Sequence, residues 1–304
     1  MQTSRFAAAL AAGPVPLDGG LATLLEAHGH DLSSSLWSAR LLLDDPQALV
    51  SAHREFFAAG ARVATTASYQ VSVSGFEAAG LSAELADRAL RRSVELAAEA
   101  RAAADRPELL FVAASLGPYG ATLADGSEYR GDYGLDVRRL RDWHAPRFET
   151  LAAAGADVLA VETVPCLAEV EALCRLLAGS GVPAWLSVTA AGGRTRAGEP
   201  VEAAFELARD VDEIVAVGVN CLDPAEVPEL LALARDRSGK PGVAYPNSGE
   251  TWDGVARSWR GSGDLDVAQV PRWLAAGACA VGGCCRVGPD GIRAISRLLA
   301  ADPG

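Results

Sequence analysis

Near the C-terminus the chain reads Ala278-Cys279-Ala280-Val281-Gly282-Gly283-Cys284-Cys285-Arg286-Val287-Gly288-Pro289, with two adjacent cysteines directly behind a glycine pair. A third cysteine of the same kind, Cys221, ends the apolar run Val217-Gly218-Val219-Asn220. Thiolates favour soft and borderline cations, zinc first among them, and three protein ligands leave one coordination position open to substrate. In a regular strand Cys284 and Cys285 point to opposite faces, so shared ligation needs the chain to leave strand geometry at Gly282-Gly283, where glycine accepts angles other residues avoid. A vicinal disulfide and buried, inert thiols are the competing readings. Cys166 and Cys174, in or beside an apolar helix, and Cys279, inside an apolar strand, read as small buried hydrophobes.

Three thiolates around Zn²⁺ carry a net charge of −1, which makes a poor Lewis acid for water but a good seat for a fourth thiol. That thiol loses its proton on binding and becomes a nucleophile at neutral pH. A thiolate attacks soft electrophilic carbon, and a methyl group on a sulfonium or a quaternary ammonium is such a target.

Residues so far apart in sequence need a frame that gathers them. Eight short apolar runs recur along the chain: Val15 to Leu17, Arg62 to Thr65, Leu110 to Ala114, Asp157 to Val161, Ala184 to Val188, Glu213 to Val219, Gly242 to Tyr245 and Ala278 to Val281. Between them lie alanine- and leucine-rich segments with helical periodicity: Ala83 to Ala104, Val137 to Ala153, Leu167 to Ala178, Val201 to Arg209 and Pro224 to Arg235. Strand then helix, eight times, predicts an α/β fold of the (β/α)₈ TIM-barrel type, with a doubly wound open sheet as the alternative. No linker divides the chain, so residues 1–304 are expected to form a single domain. Barrels carry their chemistry where strands end. Asp18-Gly19-Gly20, Thr65 to Gln70, Ser115 to Gly120, Glu162-Thr163, Thr189, Asn220-Cys221, Asn247-Ser248-Gly249 and Gly282 to Cys285 fall at those ends. The sixth and eighth strands flank the seventh, so a barrel brings Cys221 to the same rim as Cys284 and Cys285.

Composition narrows the partners. Half of the 304 residues are hydrophobic, enough for a large core, and 39 acidic against 27 basic residues give a formal charge of −12. That field repels polyanions, so nucleic acid and anionic membranes are excluded as partners and small molecules favoured. No stretch reaches the ~20 apolar residues of a membrane span, and the apolar run Phe6 to Ala12 is too short and alanine-rich for a signal peptide. Six cysteines are too few for a disulfide scaffold in a chain of this length, so a cytoplasmic location with free or metal-bound thiols is expected. None of the four histidines, His28, His30, His53 and His144, falls at a strand end, and all read as structural or solvent-facing.

Taken together, Asp18-Gly19-Gly20, Val217 to Cys221 and Val281 to Cys285 resemble the homocysteine S-methyltransferase family, zinc-dependent barrels that methylate homocysteine to methionine. The resemblance is collinear from Leu17 to Ile295. Leu36 to Ala39, Thr66 to Gln70, Ser115 to Gly120, Asp125 to Tyr133 and Tyr245 to Glu250 are similar to the branch that uses S-methylmethionine or S-adenosylmethionine rather than betaine. Only 19 residues follow Cys285, short of the C-terminal arm that assembles betaine-dependent relatives, which implies a monomer.

By that resemblance Cys221, Cys284 and Cys285 hold zinc, and Glu162 accepts the homocysteine ammonium in a charge-assisted bond. The turn at Asp18, Gly19 and Gly20 is implied to bring backbone amides to the amino acid, with Ser115 and Asn220 as nearby polar contacts. Trp37, Tyr69 and Tyr133 are the implied donor-side wall, since aromatic faces favour a sulfonium. Valine and glycine stand at Val287 and Gly288 where the family often has threonine and histidine, which leaves the metal ligands intact but bears on substrate fit. Two alternatives stand beside this reading: another thiol or selenol acceptor such as selenocysteine, and a barrel that binds zinc and thiols without turnover.

Overall fold

A computed structural model describes residues 4–32, 36–253, 258–260, 263 and 265–301; side chains at 37, 38, 251–253 and 258–260 are not described. Eight parallel strands form one sheet: β1 (Val15–Pro16), β2 (Val63–Thr65), β3 (Phe111–Leu116), β4 (Val158–Val164), β5 (Ala184–Val188), β6 (Ile214–Asn220), β7 (Gly242–Tyr245) and β8 (Ala278–Val281). Their order around the sheet follows the chain, with β8 pairing β1 in register Val15 to Ala280. Between β1 and β2 the Arg62 amide donates to the Pro16 carbonyl at 2.8 Å, closing the ring. This is the (β/α)₈ barrel the sequence predicts, and the open-sheet alternative falls.

Period-two alternation decides what faces the barrel axis. Phe111, Ala113, Val158, Ala160, Trp185, Ala216, Val243 and Ala280 form the inner core, while Val112, Ala114, Leu159, Val161 and Leu186 belong to the layer between strands and helices. The apolar N-terminal run is a helix, Arg5–Ala12, whose Phe6 and Leu10 close the barrel floor; Phe6 meets Phe111 at 5.4 Å and Trp185 at 5.6 Å. Continuing the same parity toward the C-terminal rim replaces carbon with polar groups: Ser115, Glu162, Ser187, Asn220 and the hydroxyl of Tyr245. The site is the layer above the core.

The helices start where side chains can cap them. Ser82 accepts from the Leu85 amide ahead of Ala83–Ala102, and Asp136 from the Arg139 amide ahead of Val137–Ala152, each satisfying an otherwise orphaned donor. Arg147 of the second helix is 2% exposed. Its guanidinium donates to the carbonyls of Val71 (2.6 Å), Tyr69 (2.9 Å) and Gly117 (3.0 Å), tying the loops after β2 and β3 together. Those loops form one wall of the cavity.

Two boundaries differ from expectation in ways that matter. β4 continues through Glu162 to Val164, with a register shift after Val161 and Thr163 at φ +59°, so Glu162 lies inside the strand rather than beyond it. The expected helix from Pro224 splits into a 3₁₀ turn, Pro224–Glu226, and a helix, Val227–Ser238, ended by Gly239 in the left-handed region. Among the described residues no helix is long and apolar enough to cross a membrane.

Candidate metal centre and active site

The sulfurs of Cys221, Cys284 and Cys285 lie within 4.8 Å of one another at the C-terminal rim. Cys221 and Cys284 are joined as a disulfide with Cα atoms 5.6 Å apart, and Cys285 is a free thiol beside them. Zinc-bound thiolates were expected at all three, and the sulfurs do gather; the vicinal Cys284–Cys285 bridge does not occur. Three sulfurs around one tetrahedral zinc at ~2.3 Å stand about 3.8 Å apart, within the 4.8 Å span of this cluster. The donor set fits a zinc ion.

Backbone geometry explains how neighbouring cysteines share one centre, and it corrects the expected role of the glycines. Gly282 and Gly283 are not in the left-handed region; Cys221 (φ +53°) and Arg286 (φ +67°) are. Space is what the glycines supply. A Cβ on Gly282 would meet the Asp18 carbonyl at 2.6 Å, and one on Gly283 the Val287 side chain at 2.3 Å. On the facing turn, a Cβ on Gly19 would meet the Val287 carbonyl at 2.2 Å and one on Gly20 the Cys284 carbonyl at 2.5 Å. The Gly20 amide donates to the Val287 carbonyl at 2.9 Å, and the Gly283 amide to the Asp18 carbonyl at 3.1 Å. Gly19 and Gly20 therefore serve close packing against the cysteine loop, and the Gly20 amide is spent there rather than offered to an amino acid. Val287, where the sequence departs from the family pattern, is a structural partner in this interlock. Arg286 reaches Glu250 at 2.8 Å and ties the loop after β8 to the loop after β7.

A cavity of about 1110 Å³ opens above the polar layer and holds the three cysteines, Asp18, Gly19, Gly20, Tyr69, Ser115, Glu162 and Asn220. Glu162, 7% exposed, accepts from the Ser115 hydroxyl, and the Tyr245 hydroxyl lies beside it. Burial pushes its pKa up to about 7 against those contacts, with the charge of Asp18 adding to the rise. Asp18 accepts from the Thr65 amide (2.6 Å) and hydroxyl (2.8 Å), and burial raises it to about 6. Both carboxylates are positioned to gain from an incoming cation.

Some expected roles move. Asn220 lines the cavity, but its Oδ1 accepts from the Thr163 amide (2.8 Å) and Ser187 Oγ (2.9 Å) while Nδ2 donates to Thr163 Oγ1 (2.7 Å). These bonds brace the β4 bulge beside Cys221. Tyr133 does not line the cavity; it packs edge-on against Tyr119, 5.2 Å between centroids, beneath the loop after β3. Trp37 begins the 3₁₀ turn Trp37–Arg40, and its side chain lies outside the described residues. Tyr69 lines the wall as expected. His30 does too, whereas His53 and His144 are buried and His28 pairs with Glu55. Cys166 and Cys174 are buried, but Cys279 is only half-buried.

Residues the sequence reading passed over complete the site. Ser187 and Tyr245 join Asn220 and Glu162 in the polar layer, and the inward parity of β5 and β7 is the signal that points to them. Tyr129, on the 3₁₀ turn Ser127–Tyr129, donates its hydroxyl to the Cys285 sulfur, and Glu128 beside it lines the same cavity. No periodicity marks a short turn, so only the structure brings these two to the metal centre.

This arrangement agrees with what the chain resembles. The family model for homocysteine S-methyltransferase matches residues 15–299. The chain belongs to that family. It is 41% identical to homocysteine S-methyltransferase 3 of Arabidopsis thaliana over 96% of this chain and 91% of the relative. It is 40% identical to selenocysteine Se-methyltransferase of Brassica oleracea over 93% and 88%. The crystal structure of the Escherichia coli homocysteine methyltransferase MmuM in its metallated form superposes with a TM-score of 0.84 at 40% identity, covering 94% of this chain and 96% of that one. The oxidized form of the same protein matches equally well.

Proposed function

We propose that this chain transfers a methyl group from S-methylmethionine, with S-adenosylmethionine as an alternative donor, to the thiol of homocysteine, giving methionine. The observation that carries the reading is the convergence of three sulfurs within 4.8 Å in the lining of a cavity that also holds a buried carboxylate, Glu162. Cys221, Cys284 and Cys285, reduced, would hold zinc, and zinc when bound makes a coordinating thiol ionise at neutral pH. Glu162 takes the homocysteine ammonium, oriented by the Ser115 hydroxyl and by Tyr245. Tyr129 orients Cys285 through its hydroxyl. The new sulfur–carbon bond forms in line as the donor's sulfur–methyl bond breaks and its electron pair returns to the donor sulfur. Holding both substrates aligned, rather than general base catalysis, supplies the acceleration.

The cavity is lined by Asp18, Glu26, Asp31, Asp125, Glu128 and Glu162, with no lysine or arginine lining it among the described residues. Such a field suits the ammonium groups of both substrates and the sulfonium of the donor. Zinc content and methionine formation with each donor, before and after chelation, test the reading; undiminished turnover in metal-free protein would sink it. Selenocysteine is a second acceptor to compare, because a relative of 40% identity is named for it and it offers the same ammonium and a softer nucleophile. Acceptor kinetics side by side decide between the two. The reduced thiols this chemistry needs suit a reducing compartment such as the cytoplasm.

A further inference from the structure

The cavity's carboxylates are not equivalent. Asp18 is bonded to Thr65, Glu162 to Ser115, and Asp125 to Ser127, while Glu26 faces the Arg286 charge. Glu128 differs. It faces the charges of Arg130 and Asp125 and its carboxylate accepts from its own backbone amide, but its Oε2 is buried without any hydrogen-bond partner. A carboxylate oxygen held out of water with nothing to bond is costly, and such a group persists where a ligand completes it.

Its position says which ligand. Glu128 sits on the Ser127–Tyr129 turn, and its charge acts directly on Tyr69, Tyr129 and Cys285. It therefore stands on the loop side of the metal cluster, above the floor where Glu162 waits for the homocysteine ammonium. With homocysteine on Glu162, the loop side is the part of the cavity left to the second substrate, whose methyl must turn toward the cysteines. We propose that Glu128 binds the α-ammonium of the sulfonium methyl donor, with Tyr69 and Tyr129 flanking the donor; the assignment rests on the methyl-transfer reading above.

The charge balance of the reaction selects the ammonium over the sulfonium. The sulfonium is neutralised as its methyl leaves, so a carboxylate held against it would favour the ground state over the transition state. The α-ammonium keeps its charge throughout, and Glu128 can grip it without slowing transfer. A donor with a sulfonium and a carboxylate but no ammonium gains nothing from Glu128.

Calorimetric titration of the zinc-loaded protein with S-methylmethionine and with dimethylsulfoniopropionate, in wild type and Glu128→Gln, tests this. S-methylmethionine binding is expected to weaken at least tenfold in the variant while dimethylsulfoniopropionate binding, zinc content and the homocysteine KM stay unchanged. Equal S-methylmethionine affinity in both proteins, or equal losses for both sulfonium compounds, overturns the assignment. If wild type methylates homocysteine from S-methylmethionine yet the variant binds that donor equally well, only the Glu128 assignment falls. If zinc-loaded wild type neither binds nor uses S-methylmethionine, the donor reading falls with it.

Discussion

The Ser115 hydroxyl donates to the Glu162 carboxylate from the neighbouring strand, and both side chains are the next inward positions above Ala113 and Ala160 of the barrel core. The pairing keeps a buried carboxylate aimed into the cavity without neutralising it with a cation of the protein's own. Glu162→Gln is expected to lower kcat/KM for homocysteine by about 30-fold or more, since loss of one partner of a buried charge pair costs ~2–5 kcal/mol. Ser115→Ala should cost about tenfold, the worth of one net hydrogen bond.

The raised pKa of Glu162 makes the same contact visible in solution. Burial holds it at about 7 in the folded chain, above its ordinary value of 4.5, so the native state binds more protons than the unfolded state in between. Stability from this group is full below pH 4.5 and lost as pH rises through 7, by about 3 kcal/mol for a shift of that size. Asp18, raised to about 6, adds a loss of the same sign at lower pH. Denaturant melts from pH 5 to 8 should therefore show falling stability in metal-free wild type and a flatter profile in Glu162→Gln. An identical slope in both would contradict the assignment.

Oxidation state governs whether the metal centre can assemble. With Cys221 and Cys284 joined, two of the three sulfurs are unavailable as thiolates, and four of the six cysteines remain free. Denatured oxidised protein should react with four equivalents of thiol reagent and take up no zinc at this site. After reduction it should react with six and bind one zinc. Cys221→Ser, Cys284→Ser and Cys285→Ser should each lose that zinc and turnover together, while Cys279→Ser, half-buried in β8, keeps both.

Much of this was legible in the sequence because it is periodic or rare. All eight strands were placed from their apolar runs, and the gathering of Cys221 with Cys284 and Cys285 followed from strand order alone. What escaped was local. The β4 bulge that carries Glu162 depends on Thr163 adopting φ +59°, an angle no pattern announces for threonine. Gly282 and Gly283 were assigned to unusual backbone angles, whereas the structure needs them for clearance against Asp18 and Val287. Tyr133 was placed by residue type on the donor wall, but its ring finds Tyr119 instead. Aromatic identity in a loop does not determine which side it packs on.

The glycine interlock predicts a link between packing and metal affinity. Gly20→Ala would set a methyl 2.5 Å from the Cys284 carbonyl, a backbone atom that can yield only by moving the cysteine loop. Overpacking of this kind costs ~1–3 kcal/mol. The variant should melt at lower temperature and release zinc to a chelator at least tenfold more readily. Unchanged metal affinity with lowered melting temperature would mean that the loop absorbs the strain without displacing Cys284.

Arg147 offers the sharpest test of how the wall is held. Its buried guanidinium satisfies three carbonyls, of Tyr69, Val71 and Gly117, and lies 4.8 Å from the Trp143 ring. Arg147→Leu leaves those acceptors in an apolar environment, and each unsatisfied buried group costs ~1–3 kcal/mol. A loss of roughly 3 kcal/mol or more in denaturant unfolding is expected. Arg147→Lys keeps the charge but lacks the planar fork that reaches all three carbonyls, so it should recover only part of that stability. Because the two loops carry Tyr69 and lead to the Glu128 turn, the lysine variant should also show a raised donor KM at nearly normal zinc content. Full recovery of both stability and donor KM by lysine would show that charge alone, and not the three-way clamp, holds the wall.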